Sequence, residues 1–270
     1  RGVNLLPSRI NQRDCYICRE GEQTFRPNFT YHGFRYCLVL GLEDEQATED
    51  LLTYEIMSSD IKKIGDFSCS DDTLNRLEKA TQVSDLANFF YLPTDCPLRE
   101  KNGWTGDIAL SCEQIMSRCD ASRSLEQWLD NVLAAQLPDG RLPGIVPTAG
   151  WGFHWGNGPA WDNAMFEIPY VLYRYRGNTD VIRRVAAGLF HYLQYMSSRR
   201  NAEGLLEYGL DDWCHVGHQY ENMMKCPLVV SDSTTCLSMC YKAEVMFRAI
   251  GKTLEADYAH ALHESIRAAF

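Results

Sequence analysis

At 270 residues, 45% of them hydrophobic, the chain is long enough for one large core or two modest ones, and its composition is neither disordered nor fibrous. A formal net charge of −10, without any run of lysine and arginine, argues against a nucleic-acid backbone or an anionic membrane as partner, and no stretch approaches the roughly 18 unbroken apolar residues of a membrane span. A neutral small molecule or a carbohydrate is the expected ligand.

The opening residues, RGVNLLPSRI, lack the apolar core of a signal peptide. The segment DCYICREGEQTFRPNFTYHGFRYCLVLGLED then alternates and is rich in aromatic and β-branched residues, punctuated by Gly21, Pro27 and Gly33. It reads as antiparallel sheet, continued by LLTYEIMSSD. About 60 residues is little for a whole sandwich, so residues 1–64 are expected to be the last strands of a β-sandwich domain. Cys15 and Cys18 have the spacing of a metal pair, but no second pair with zinc-like spacing follows, and the strand reading is preferred. NFT at 28–30 fits a glycosylation acceptor, a motif short enough to recur by chance.

From Gly65 the period becomes helical. Ser70, Asp71 and Asp72 form a cap and acidic first turn for a helix over 70–91 with Leu74, Leu77, Ala80, Ala87 and Phe90 largely on one face. Further helices fit at 107–119 (Ile108, Cys112, Ile115, Met116, Cys119), 121–137 (Leu125, Trp128, Leu129, Val132, Leu133), 160–176 with Pro169 inside, 179–198, 233–250 and 253–270. Long connections (92–106, 138–159, 199–232) alternate with tight ones. In antiparallel helices every second connection lies at the same end, so the three long loops are expected to open on one face. That is the layout of an α/α toroid: residues 65–270 read as the N-terminal portion of an (α/α)6 barrel, about seven helices of twelve, in a chain that is mainly α with a β N-terminal part. The terminal HESIRAAF stops in mid-pattern.

The eleven cysteines are odd in number and scattered through apolar patterns, where they read as small buried hydrophobes. This usage favours a reducing, cytoplasmic setting, with an exported or periplasmic one left open.

The first loop carries TDCPLREKNGWTGD, with Asp95, Arg99, Glu100, Trp104 and Asp107. The second holds Trp151, His154, Trp155, Trp161 and Asp162, and the third Glu207, Asp211, Asp212, Trp213 and His215. Five of the six tryptophans therefore sit in or beside the loops. Indole rings offered with carboxylates at one mouth describe a sugar site: apolar sugar faces stack on the rings, and hydroxyls bond to Asp, Glu and Arg. Carboxylates also serve glycosidase chemistry, in which one acid protonates the leaving oxygen while a second group activates water or attacks carbon. Glu100 is a reasonable acid because Asp95 and Asp107 flank it, although composition alone does not separate it from them. Each residue also has a plainer reading: Asp107 as a helix cap, Arg99 with Glu100 as a surface ion pair, Trp104 as a buried plug, Asp162 as the opening charge of a helix. His154, His215 and His218 form no ligand triad at a recognised spacing, so neither metal nor other cofactor is expected.

TDCPLREKNGWTGD closely resembles the signature loop of the α-L-rhamnosidases of glycoside hydrolase family 78, approximately D-C-P-x-R-(D)-E-x-x-G-W-x-G-D. PAWDNAMFEIPY resembles that family's W-x-D-A segment, YGLDDWC its G-(D/L)-D-W segment, and FRPNFTYHGFRY the end of the sandwich before its barrel. The resemblance implies metal-independent, inverting hydrolysis of terminal α-L-rhamnose, with Glu100 as general acid and Asp95, Arg99, Trp104, Asp107, Trp161, Asp162 and Trp213 holding the sugar. It also implies that the general base is a glutamate from a later barrel loop, beyond residue 270, so the chain alone is expected to be inactive or nearly so. The family has cytoplasmic and exported members, and nothing in the sequence sets linkage, aglycone or oligomeric state. The rival readings are another α/α-toroid enzyme, such as an α-L-fucosidase or a polysaccharide lyase, and a sugar-binding protein without chemistry. A lyase would want a tyrosine or histidine base and a basic groove, which the acidic loops disfavour.

Overall fold

The computed structural model describes residues 12–148, 150, 152–154, 157–210, 213–217 and 224–270. Among these, seven helices of thirteen residues or more make up most of the ordered structure: α1 (Asp72–Ala87), α2 (Thr105–Arg118), α3 (Ser122–Ala134), α5 (Ala164–Arg176), α6 (Thr179–Ser198), α7 (Leu228–Ala249) and α8 (Thr253–Ala269), with a single turn α4 (Pro159–Asp162) before α5. The caps follow side-chain chemistry. Asp71 accepts from the amides of Thr73 and Leu74 at the start of α1, Asn178 accepts from Val181 at the start of α6, and Gly177 ends α5 at φ 64°, in the left-handed region that glycine adopts without strain.

The helices pack by their apolar faces. α2 and α3 bury Ile108, Cys112, Ile115 and Met116, and Leu125, Trp128, Leu129 and Val132. α5 lies against α2, α3, α6 and α7, and α7 and α8 form a close hairpin. α1 differs. It buries no residue, and Leu74 and Leu77 of its apolar face are 48% and 61% exposed, while Phe90 leaves the helix for a short hairpin, β2 (Phe89–Phe90) with β3 (Leu92–Pro93). Periodicity marks the face a helix would bury, not whether anything covers it.

The N-terminal segments expected as strands form no ladder among the described residues 12–61; the first strand is β1 (Lys62–Lys63), paired antiparallel with β4 (Cys119–Asp120). The alternation is nevertheless visible as exposure, with Tyr36, Leu38 and Leu40 at 84%, 82% and 76%, and Phe34 meets Tyr54 edge to face at 5.2 Å. A strand is held by hydrogen bonds to a neighbour, and alternation along one segment supplies none. The cysteines depart from expectation too: Cys112, Cys236 and Cys240 are buried, six others are exposed, and all are free thiols. Three of the exposed ones, Cys15, Cys18 and Cys37, lie on the N-terminal segments whose faces are open.

The three long loops meet. Loops one and two pair as a short antiparallel ribbon: the Val146 amide donates to the Gly103 carbonyl at 2.8 Å, and the Thr105 amide to the Gly144 carbonyl at 2.9 Å. The backbones are so close that a Cβ on Gly103 would lie 2.0 Å from the Val146 oxygen. From below, the indole N–H of Trp128 on α3 donates to the same Val146 carbonyl at 3.0 Å. Loops two and three touch at Gly158, φ 119°, where a Cβ would fall 2.3 Å from the Cα of Gly209.

α7 begins five residues before the expected 233, and the reason lies in the same loops. Asp232 and Ser233 look like a cap but sit inside the helix and reach back: Asp232 Oδ2 accepts from the amides of Tyr208 (2.7 Å) and Gly209 (2.9 Å), and Ser233 Oγ from that of Leu206 (3.1 Å). Beside them Asp162, 2% exposed, accepts from the Tyr192 hydroxyl at 2.6 Å, and Tyr192 in turn meets the Tyr208 hydroxyl at 3.1 Å.

Two residues apart on α2, Ile108 is 1% and Leu110 89% exposed. Ile108→Ala should therefore cost about 2–5 kcal/mol in urea unfolding, and Leu110→Ala no more than about 0.5. Burial pushes the Asp162 carboxyl up to about 8, with the Asp232 charge adding to it and the Tyr192 hydrogen bond opposing. An unfolded aspartate titrates near 3.9, so between about pH 4 and 8 the folded state holds a proton that the unfolded state has lost, and stability declines as pH rises through that window. Asp162→Asn keeps an acceptor for Tyr192 without the charge, and should make that decline shallower; a pH series of unfolding midpoints with the slope of the parent chain would refute the assignment.

Candidate active site

The signature loop is built around Asp95. Its amide donates to the Asn102 carbonyl at 3.0 Å, its Oδ1 accepts from the Asn102 amide at 2.9 Å, and its Oδ2 accepts from the Cys96 thiol at 2.9 Å. The Glu100 amide donates to Cys96 Sγ at 3.1 Å. One carboxylate thus closes the loop on itself, and residues 96–101 are projected from that closure.

Glu100 is exposed, and its Oε2 accepts from the indole N–H of Trp104 at 2.8 Å and from the Asn102 side-chain amide at 3.5 Å. Trp104 is 8% exposed, stands at the cap position of α2 and is bridged to Ile145 in the ribbon with loop two, so the Glu100 carboxylate is held by a buried indole. Trp161 meets Trp104 edge to face, centroids 6.5 Å apart. It lies directly on Gly106: a Cβ there would come within 2.8–3.0 Å of the indole Nε1, Cε2 and Cδ1. Glycine is required at 106 for the second ring to rest on the first turn of α2.

Asp107 occupies that first turn and keeps access to solvent. Protein packed around its other sides, then the charges of Asp95 and Glu100, push its carboxyl up to about 6, while a backbone hydrogen bond opposes. Asp95 is raised as well, by burial first, against its bonds to Cys96 and Asn102 and with the Glu100 charge adding. Three carboxyls therefore share one field beside two indoles.

Of the residues expected at the site, the structure brings together Asp95, Glu100, Trp104, Asp107 and Trp161. Arg99 is exposed on the same loop. Asp162 is carried by the turn that carries Trp161, but its carboxyl points into the protein, to Tyr192. Trp213 is 36% exposed in loop three. His154 and Glu207 are exposed, and His215 bonds to the Val216 carbonyl. Trp151, Trp155, Asp211, Asp212 and His218 lie outside the described residues. Among the described residues no three His, Cys, Asp or Glu are grouped as metal ligands. Sequence reasoning missed Cys96, Asn102, Tyr192, Tyr208 and Asp232. Cys96 and Tyr208 lie inside the motifs TDCPLREKNGWTGD and YGLDDWC but act through a thiol and a hydroxyl contact that the motifs do not specify, Asn102 acts through its backbone, and Tyr192 and Asp232 fall within helices.

The arrangement gathers a carboxyl held by an indole N–H, two further acidic groups within its field and two indole rings, the residue types that bond hydroxyls and stack on apolar sugar faces. A family model described as the bacterial alpha-L-rhamnosidase 6 hairpin glycosidase domain matches residues 62–270, and one described as the bacterial alpha-L-rhamnosidase concanavalin-like domain matches residues 4–57. An alpha-L-rhamnosidase of Streptomyces avermitilis is 31% identical over 211 residues, which are 76% of this chain and 20% of that protein; one of Formosa agariphila is 27% identical over 208 residues, 74% and 22%. The chain thus spans about a fifth of the length of the curated relatives it matches. Among solved structures, native α-L-rhamnosidase of Aspergillus terreus superposes with TM-score 0.82 at 27% identity over 92% of this chain and 29% of that one. The Streptomyces avermitilis enzyme complexed with L-rhamnose does so with TM-score 0.69 at 25% identity, over 78% and 20%. With its helical hairpins, its loops gathered at one mouth and a match across residues 62–270, the chain belongs to the bacterial α-L-rhamnosidase six-hairpin glycosidase family.

Proposed function

We propose that this chain forms part of an enzyme that hydrolyses terminal α-L-rhamnose from glycosides or polysaccharides with inversion, with residues 65–270 contributing the first part of the catalytic barrel and residues 1–64 the end of a β-sandwich domain. The observation that carries the reading is the Trp104 indole N–H at 2.8 Å from Glu100 Oε2, at a mouth shared with Asp95 and Asp107. Glu100 is the general acid: it gives its proton to the glycosidic oxygen as the bond to the anomeric carbon breaks. Asp95, Arg99, Asp107 and Trp213 contact the sugar, Trp104 and Trp161 supply its aromatic wall, and Asp162 serves it by fixing the turn that carries Trp161. An inverting base stands roughly 6.5–9.5 Å from the acid so that water fits between them; that role belongs to a glutamate of a later barrel loop, beyond residue 270.

The test is release of aryl alcohol from α-L-rhamnosides and α-L-fucosides by the natural full-length polypeptide and its Glu100→Gln variant. Rhamnosides with poor leaving groups should lose about 10²–10⁴-fold in kcat/KM in the variant, and activated ones much less, because protonation matters only when the leaving group needs it. Turnover of fucosides alone, or a variant equal to the parent, would sink the reading. Unchanged rhamnose affinity without turnover in either protein would mark a binding protein.

A further inference from the structure

Lys101 follows Glu100 directly, and its neighbours are not at the mouth. Its backbone takes φ 56°, a left-handed conformation uncommon for a lysine, so consecutive side chains leave the loop in different directions. The Lys101 ammonium donates to the carbonyl oxygen of Tyr31 and lies 4.8 Å over the Tyr31 ring. That ring packs at 4.8 Å on Phe90, in the hairpin that leads into the loop. Two residues on, Gly33 is held from both sides by Gln12, whose side-chain amide donates to the Gly33 carbonyl at 2.8 Å and accepts from the Gly33 amide at 2.9 Å. Gly33 lies flat against the loop: a Cβ there would be 2.9 Å from the Pro97 carbonyl carbon and oxygen and 3.1 Å from the Leu98 nitrogen. The loop is thus gripped twice by residues 31–33, at Pro97 and at Lys101, on either side of Glu100 in the chain.

Resting on the reading of Glu100 as the acid, we propose that Lys101 is a positioning residue, anchoring the signature loop to the N-terminal segment at Tyr31 and thereby setting the direction in which Glu100 delivers its proton. Asp95 and Trp104 fix the loop's two ends, and Trp104 and Cys96 hold Glu100 from the side of the loop itself; Lys101 adds a hold from outside the loop, and its unusual φ persists with Tyr31 on the far end of the side chain. The N-terminal segment is then a working part of the active site through its hold on the loop.

The experiment compares Lys101→Met, which keeps the stem and loses the charge, with Lys101→Arg, which restores it, and with Gly33→Ala, which pushes on Pro97 from the other grip without touching Lys101. Two readouts are taken on the natural full-length polypeptide: kcat/KM on a series of aryl rhamnosides of graded leaving-group acidity, and the alkylation rate of Cys96, followed by peptide mass spectrometry. Lys101→Met and Gly33→Ala should lose roughly 10- to 100-fold on poor leaving groups, the size expected for a misplacement of about 1 Å, with little change on activated ones. Cys96 should alkylate faster in both, and Lys101→Arg should recover both properties. Equal losses across all leaving groups, or unchanged rates with unchanged Cys96 protection, would overturn the anchor. If the parent itself releases no alcohol from any rhamnoside, the role of Glu100 falls and the inference with it, an outcome recognised in the parent before any variant is made.

Discussion

The ribbon between loops one and two is the contact on which the site depends. Gly103 and Val146 approach so closely that no side chain of any size fits at 103, and the hydrogen bonds on either side of that point satisfy backbone groups that would otherwise be buried without partners. Everything nearby is referred to this seam. Trp104 and Thr105 take their positions from it, α2 starts from it, and Glu100 is aimed by the indole that it immobilises. Trp128, in the core of α3, donates to the same Val146 carbonyl, so α3 as well as α2 is tied to the ribbon by a buried hydrogen bond.

The second seam, between loops two and three, follows similar logic with different means. Gly158 and Gly209 supply the close approach, while Asp232 and Ser233 spend their polar atoms on the backbone of loop three and not on the start of their own helix. The adjoining Asp162, Tyr192 and Tyr208 carry hydroxyl and carboxyl groups into a region with little water, where a carboxyl is cheaper to bury protonated than charged. In this family member the acidic residues therefore divide into those near the mouth and those that hold its walls, and within Trp161-Asp162 the indole lies beside Trp104 while the carboxyl turns inward to Tyr192.

Much of this was legible in the sequence. Helix periodicity locates α6 and α8 to within a residue and α2 and α3 to within two or three, because each carries an apolar stripe that the core covers, whereas the single helix expected over 160–176 is divided into α4 and α5; the alternation of long and short connections brings the loops together. The loop content pointed to a sugar site through residue type alone. What could not be read were features created by approach in space. α7 starts five residues before the expected 233, with Asp232 and Ser233 inside it and bonded to the backbone of loop three. The N-terminal alternation was read as sheet, but the ladder depends on neighbours that the pattern does not contain. Glu100 differs from Asp95 and Asp107 in being the carboxyl that meets the indole of Trp104, a fact of geometry that composition does not carry.

Asp107 sits where two influences oppose each other. The first turn of α2 presents amide groups that favour a negative charge, while the surrounding protein and the neighbouring carboxylates disfavour it, and the balance falls at about 6. A carboxyl in that position changes its vocabulary within the ordinary range of biological acidity: above it both oxygens can only accept hydrogen bonds, and below it one of them donates. The hydroxyls of a polyol can play either part. The hydrogen-bonding character of this one position therefore changes with its protonation, from acceptor alone to donor and acceptor together.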